Sequence, residues 1–300
     1  MSISVWVAST PWLASTHWLA SIPSPSRNAI SLGPLHLRAY GLAIALGVLA
    51  GVAIAQRRYA ARGGDPNDIA GIATGSVIAG LLGARAYHVL TDYHRFQGHW
   101  FDVVKVWQGG LGIPGGLMAG VLVGVFLARR RAMNVPWALD AAAPALPVAQ
   151  AIGRLGNWFN QELFGRPTTL PWGLRIDPAY RPAGLADVAT YHPAFLYEGL
   201  WNLSLAAALV AYDRRYPRAR PGRLFAFYVG GYGLGRLWIE ALRIDAATLI
   251  FGVRVNIWMS LATIAGALIW LLLWGRRRPA DPLVSGESEA QASAEFPVAG

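Results

Sequence analysis

The segment GRLGNWFNQELFG, residues 153–165, sets one arginine, two asparagines, a glutamine and a glutamate between apolar runs. Arg154, Asn157 and Gln161 stand at i, i+3 and i+7, the spacing of one helix face. A guanidinium makes forked, charge-assisted hydrogen bonds to a phosphate, and amide side chains complete the shell. The pattern therefore fits capture of a phosphate-bearing group, and at a membrane surface the available phosphate is a phospholipid head group. Gly153, Gly156 and Gly165 allow close backbone approach and a helix stop. An ordinary extracytoplasmic loop with solvated charges is the plainer alternative.

A second charged pattern lies in GYGLGRLWIEALRID, where Arg236 and Glu240 are four apart and share one helix face. A charge at the centre of a spanning helix costs about 2.5–3.5 kcal/mol on insertion scales and usually faces a polar interior. A buried ion pair explains both residues; a cation held in place by its carboxylate explains them as a site, with Gly233 and Gly235 opening space beside the helix. Arg85 in GARAYHVL reads either as a site residue or as a helix-end arginine snorkelling outwards. The run WQGGLGIPGG, residues 107–116, either brings backbone amides to the same anion or only starts a helix. In YHPAFLYEG, residues 191–199, Pro193 suits a first helical turn and Tyr197 and Glu198 follow one turn later. His192 is a candidate base there, or a capping or interfacial residue.

These residues need elements to hold them, and composition says which kind. The chain is 54 % apolar and 14 % charged, far below the roughly one-quarter charged residues of a soluble domain. The expected fold class is an all-α polytopic membrane protein with seven transmembrane helices, near residues 40–55, 69–90, 111–128, 138–152, 194–212, 224–242 and 255–274. The net charge of +10 comes almost wholly from arginine, since Lys105 is the only lysine. Its clusters follow the first, third, fifth and seventh spans, which places the N-terminus outside and the C-terminus in the cytoplasm. That placement argues for a lipid bilayer and against nucleic acid. The loop from 153 to 193 breaks the trend with Arg154, Arg166, Arg175 and Arg181, which points to a ligand. With no cysteine in the chain, any thiol chemistry uses a thiol of the substrate.

Three regions are expected. Residues 1–34, with Trp6, Trp12 and Trp18 in a short repeat, form a variable extracytoplasmic or interfacial segment; 35–278 form the seven-helix domain; 279–300 form a disordered cytoplasmic tail.

GRLGNWFNQELFGRP closely resembles the signature of the prolipoprotein diacylglyceryl transferase family. LRAYGL, GARAYHVL, WQGGLGIPGG, HPAFLYE and GRLWIEALR occur in that family's order. The resemblance implies an enzyme of the bacterial cytoplasmic membrane that catalyses the first step of lipoprotein maturation. It would move the diacylglyceryl group of phosphatidylglycerol onto the lipobox cysteine of a preprolipoprotein signal peptide, releasing glycerol 1-phosphate, with no metal or cofactor. By position, Arg154 would bind the head group, with Asn157, Glu162 and Gly165 shaping that site. Arg236, paired with Glu240, would be the second essential cation, and Tyr40 the tyrosine before the first span. Two positions depart from the pattern: Pro114 stands where many members have a histidine, and Phe195 where glutamine is common. Proline cannot act as a base, so either that histidine is not generally the base, or His192, Tyr40 or Glu240 takes the role. An anion transporter and an inactive lipid-binding paralogue are the alternatives.

Overall fold

The computed structural model describes residues 21–32, 35–106, 109–217 and 220–274; the tryptophan repeat and the tail from 279 lie outside the described residues. Eight α-helices dominate the described residues: α1 Ala39–Ala60, α2 Pro66–Thr91, α3 Ile113–Arg130, α4 Val135–Ala142, α5 Ala145–Asn160, α6 Ala194–Arg215, α7 Arg223–Leu242 and α8 Val255–Trp274. Five of them, α1, α2, α3, α6 and α8, are long and apolar enough to cross a membrane. Leucines such as Leu49, Leu82, Leu122 and Leu273 stand exposed on their flanks, as helix surfaces solvated by lipid tails do. The chain is a mostly helical, polytopic membrane protein. α7 has 20 residues, but Arg236, Glu240 and its glycines dilute its hydropathy.

The fourth expected span, 138–152, is corrected. The chain breaks after the eight-residue α4, and Pro144, which lacks an N–H, caps the start of α5. α5 then runs through Gly153 and Gly156 to Asn160 and stops only at Gln161, whose φ of 53° is left-handed. The first half of the signature is therefore helical rather than loop. Gly156 serves close approach: a Cβ there would sit 2.6 Å from the Tyr40 ring of α1.

Small residues draw the helices together. A Cβ on Gly47 of α1 would lie 2.7 Å from the Ala149 carbonyl of α5. Gly80 and Gly83 of α2 face Gly115 and Gly116 of α3 backbone to backbone. Gly112, Gly116, Gly120 and Gly124 recur every four residues, the spacing that lets spanning helices touch along one seam. At the end of the bundle far from the signature, Asp213 of α6 binds Arg58 in the last turn of α1 at 2.7 Å and Arg62 just past it at 2.6 Å. There too, Asp140 of α4 accepts the Gly222 and Phe225 amides and so satisfies the start of α7.

At the signature end a small sheet covers the helices. β1 Ile22–Pro23 pairs in parallel with β4 Leu174–Arg175, which pairs antiparallel with β5 Thr190–Tyr191. Two hairpins accompany it, β2 Ala29–Leu32 with β3 Leu35–Arg38 and β6 Leu249–Ile250 with β7 Val253–Arg254. Phe164, Leu174, Ile176, Tyr191 and Phe195 form the buried core of this cap. Gln161 ties it to α5: its amide donates to Asp177 at 2.7 Å and its oxygen accepts the Asp177 backbone N–H at 2.8 Å.

Gly83→Ala tests the α2–α3 seam. The added methyl would lie 2.6 Å from the Gly115 carbonyl, which is backbone and cannot rotate away. Thermal unfolding in detergent should fall by the equivalent of about 1–3 kcal/mol, the usual range for overpacking; an unchanged melting temperature would show that the seam is loose.

Candidate active site

Three helices bring their charges to one place. Arg154 comes from the last turns of α5, Glu198 from the second turn of α6, and Arg236 and Glu240 from the end of α7. Arg154 Nη2 lies 2.6 Å from Glu198 Oε1, and Arg236 Nη1 reaches the same oxygen at 3.4 Å. Arg236 Nη2 lies 2.7 Å from Glu240 Oε2, so the i,i+4 pair expected from spacing forms. Two guanidiniums thus converge on one carboxylate oxygen.

The chain of charges continues outwards. Glu240 is fully buried; its Oε1 accepts from Arg254 Nε at 2.6 Å and Asn256 Nδ2 at 3.0 Å, and Arg243 lies 3.8 Å from its Oε2. Arg243 holds Asp245 with two parallel bonds of 2.6 and 2.7 Å, and Arg254 donates to the Asp245 carbonyl. Four arginines therefore face three carboxylates, leaving one positive charge in excess. A fourth carboxylate, Glu162, is kept one amide away. Asn157 accepts from Arg154 at 3.2 Å through Oδ1 and donates to Glu162 at 2.8 Å through Nδ2. Asn160 adds a 3.4 Å bond to the same glutamate oxygen.

A cavity of 1010 Å³ opens beside this array. Tyr40, Asn160, Gln161, Glu162 and Asp245 stand in its wall, with Val106, Gly109 and Leu111 of the α2–α3 loop. Glu162 and Asp245 thus connect the cavity to the arginines. Gln161 leaves the face shared by Arg154 and Asn157, because the left-handed turn aims its amide at Asp177 and the Pro25 carbonyl. Gly165 sits where three segments meet. Its N–H donates to the His192 carbonyl at 2.9 Å, the next N–H, of Arg166, donates to Leu242, and a Cβ would lie 2.8 Å from the His192 Cβ. His192 itself belongs to an aromatic chain: its Nδ1 lies 3.1 Å from the Tyr197 hydroxyl, which also accepts from the Trp172 indole.

Several sequence expectations change here. Arg85 does not snorkel outwards; it is 7 % exposed and donates to the backbone carbonyls of Asp102, Val103, Gly109 and Gly110. The glycine-rich run accordingly offers carbonyls to an arginine, where amides for an anion were one expectation. Gly233 and Gly235 open no channel: they seat Thr263 and Trp201 of neighbouring helices. Arg181 binds the Ile176 and Ala186 carbonyls and braces its own loop. Glu198, Arg243, Asp245, Arg254 and Asn256 were missed as site residues. Glu198 left one signal, a carboxylate inside an apolar run with no cation at i±3 or i±4. Arg243 and Arg254 pass for ordinary loop charges until the fold turns them back to Glu240.

Known proteins resemble this chain over most of its length. A family model described as prolipoprotein diacylglyceryl transferase matches residues 27–274. A Frankia alni phosphatidylglycerol–prolipoprotein diacylglyceryl transferase is 54 % identical over 274 residues, covering 90 % of this chain and 71 % of that protein. Transferase 2 of that name from Streptomyces coelicolor is 48 % identical over 261 residues, 86 % of this chain and 82 % of its own. The protein of that name from Cutibacterium acnes is 46 % identical over 260 residues, 86 % and 88 %.

Burial opposes the charge on Asp245, but the paired bonds and positive charge of Arg243 outweigh it and hold the carboxyl below its ordinary range. A depressed folded-state value means stability that is present above the unfolded value and lost as pH falls through the folded one. Asp245→Asn should therefore lower the melting temperature at neutral pH and flatten its decline in acid. Parallel curves for the variant and the parent protein would show that the pair does not contribute.

Proposed function

The chain belongs to the prolipoprotein diacylglyceryl transferase family, and from that premise we propose that its arginine–carboxylate array is where a phospholipid loses its diacylglyceryl group. The protein is a transferase that moves this group from phosphatidylglycerol to a prolipoprotein, the first step of lipoprotein maturation. Its acceptor, on our reading, is the lipobox cysteine of the preprolipoprotein signal peptide. The five apolar helices, α7 and the α4–α5 pair make seven crossings of the bacterial cytoplasmic membrane. The basic last turns of α1, α3 and α6 support an outside N-terminus and a cytoplasmic C-terminus, with residues 35–278 as the transferase domain.

The observation that carries the mechanism is the convergence of Arg154 and Arg236 on one oxygen of Glu198. A point reached by two guanidiniums inside a poorly polar bundle is where a phosphate oxygen gains most. Among the described residues, the only carboxylate paired directly with Arg154 is one that it shares with Arg236, which leaves its guanidinium able to take an anion. The thiolate sulfur attacks the sn-3 carbon of the glycerol; a carbon–sulfur bond forms, the carbon–oxygen bond to the phosphate breaks, and glycerol 1-phosphate leaves. Charge builds on the departing phosphate, and guanidiniums already fixed by carboxylates meet it without reorganising. Asn157 keeps Glu162 from quenching Arg154, and Gly165 lets the signature loop lie against His192 and the end of α7.

Glu240 is assigned to fixing Arg236. With Arg236, Arg254, Asn256 and Arg243 around it and no exposed surface, it has neither room nor access to take the thiol proton. Of the remaining candidates, Tyr40 stands in the cavity wall and His192 lies behind Gly165. The side chain that removes the proton is the one whose replacement, Tyr40→Phe or His192→Gln, abolishes the acidic limb of the pH–rate profile.

The test is transfer from labelled phosphatidylglycerol to a lipobox peptide by the purified protein. Arg154→Ala and Arg236→Ala should each lower kcat by about 10²–10³-fold or more, the usual cost of removing a preorganised charge stabiliser. Arg154→Lys should restore little, since an ammonium lacks the forked geometry. Full activity in either alanine variant, with the protein inserted and folded, would overturn the assignment.

A further inference from the structure

The loop between α7 and α8 does more than connect them. β6 and β7 turn at Phe251 and Gly252, with φ of 52° and 76°. Two positive-φ residues make the tight hairpin turn that asparagine and glycine usually occupy, and phenylalanine is an uncommon occupant. Phe251 is 94 % exposed, and Leu249 and Ile250 are exposed beside it. Residues 246–253 carry no charge. The hairpin runs straight into α8, one of the five apolar spans, since Val255 N–H donates to the Thr248 carbonyl. Trp258, one turn into that span, donates its indole N–H to the Ile250 carbonyl at 3.1 Å. A tryptophan with an apolar body and a bonded N–H is characteristic of the membrane interface. The exposed tip is thus continuous with the lipid-facing surface of α8. At the other end of the hairpin, Arg254 grips Glu240 and Asp245.

We propose that the 249–254 hairpin is a lipid-contacting finger: its apolar tip lies in the interface of the leaflet at the site's end of the bundle, level with Trp258, and its base holds Glu240 through Arg254. The lipid surface is the partner, and the hairpin sets the depth of the arginine array against it. An apolar tip with every charge excluded gains by burying Phe251, Leu249 and Ile250 at the interface, while the hairpin's unpaired backbone groups stay within reach of water. The lipid contact stands on geometry alone; its consequence for turnover rests on the transferase reading.

Because the chain has no cysteine, Phe251→Cys gives a single thiol for a nitroxide label. In phosphatidylglycerol-containing bilayers, electron paramagnetic resonance should show the label at 251 colliding more with dissolved oxygen than with a water-soluble nickel chelate. A label at Asp187→Cys, on an exposed stretch of the 161–193 loop, should show the reverse. Greater access of the chelate at 251 would overturn the lipid contact, and shielding that appears only when lipobox peptide is added would give the surface to the peptide instead. In the transfer assay, Phe251→Asp should lower kcat/KM for bilayer phosphatidylglycerol on the order of tenfold, with Phe251→Leu near parental activity. Parental activity in Phe251→Asp would overturn the coupling to the site. Absence of transfer by the parent protein would refute the transferase reading and leave the labelling result standing.

Discussion

A guanidinium placed inside a bundle of apolar helices must be compensated, and the rest of the site follows from how that is done here. Glu198 serves Arg154 and Arg236 with the same oxygen, at 2.6 and 3.4 Å. Arg154 therefore shares its counter-ion with Arg236, which Glu240 holds more closely at 2.7 Å. Breaking such a pair strands a charge, which is far costlier than never having buried it. The alternation of signs from Arg154 to Asp245 spreads that constraint over α5, α6, α7 and the start of α8, so that the charges also fix where those helix ends stand relative to one another.

Such an array requires helices close enough for side chains on different spans to touch. Between α6 and α7, Gly231 and Gly235 supply that closeness by seating Leu205 and Trp201, and glycine seams hold the other spans as tightly. Where Gly83 meets Gly115, or Gly47 meets the Ala149 carbonyl, nothing but hydrogen separates the backbones. In lipid there is little hydrophobic drive between helices, and contact area along such seams does the work. Polarity is concentrated at the two ends: Asp140 and Asp213 with their donors at one, the arginine array and the sheet at the other.

The sequence made some of this legible and hid the rest for identifiable reasons. Arg236 and Glu240 pair as their spacing requires, because both lie on one regular helix. Arg154 and Asn157 share a face for that reason too, whereas Gln161 leaves it at a left-handed residue that no period reveals. The fourth span failed because apolar periodicity cannot see a break at Pro144 when the residues on both sides remain apolar. Glu198 and Arg254 were hard to read as site residues since their partners are 38 and 14 positions away on elements whose packing sets the contact, while Arg243, only three positions past Glu240, stands just beyond the end of α7 and reads as a loop charge. Motif order revealed the family; long-range geometry revealed which charges belong together.

Arg85 carries one more consequence. Its bonds go to four carbonyl oxygens of the α2–α3 loop, which solvate the guanidinium as water would but contribute dipoles and no net charge. Val106, Gly109 and Leu111 of that loop form part of the cavity wall. A whole positive charge is thus stored just behind a wall made of neutral residues. It touches nothing in the cavity, yet in a poorly polarisable surrounding its field extends through the wall. From that side the cavity feels positive potential without meeting a cation, which offsets part of the negative charge that Glu162 and Asp245 bring to its wall.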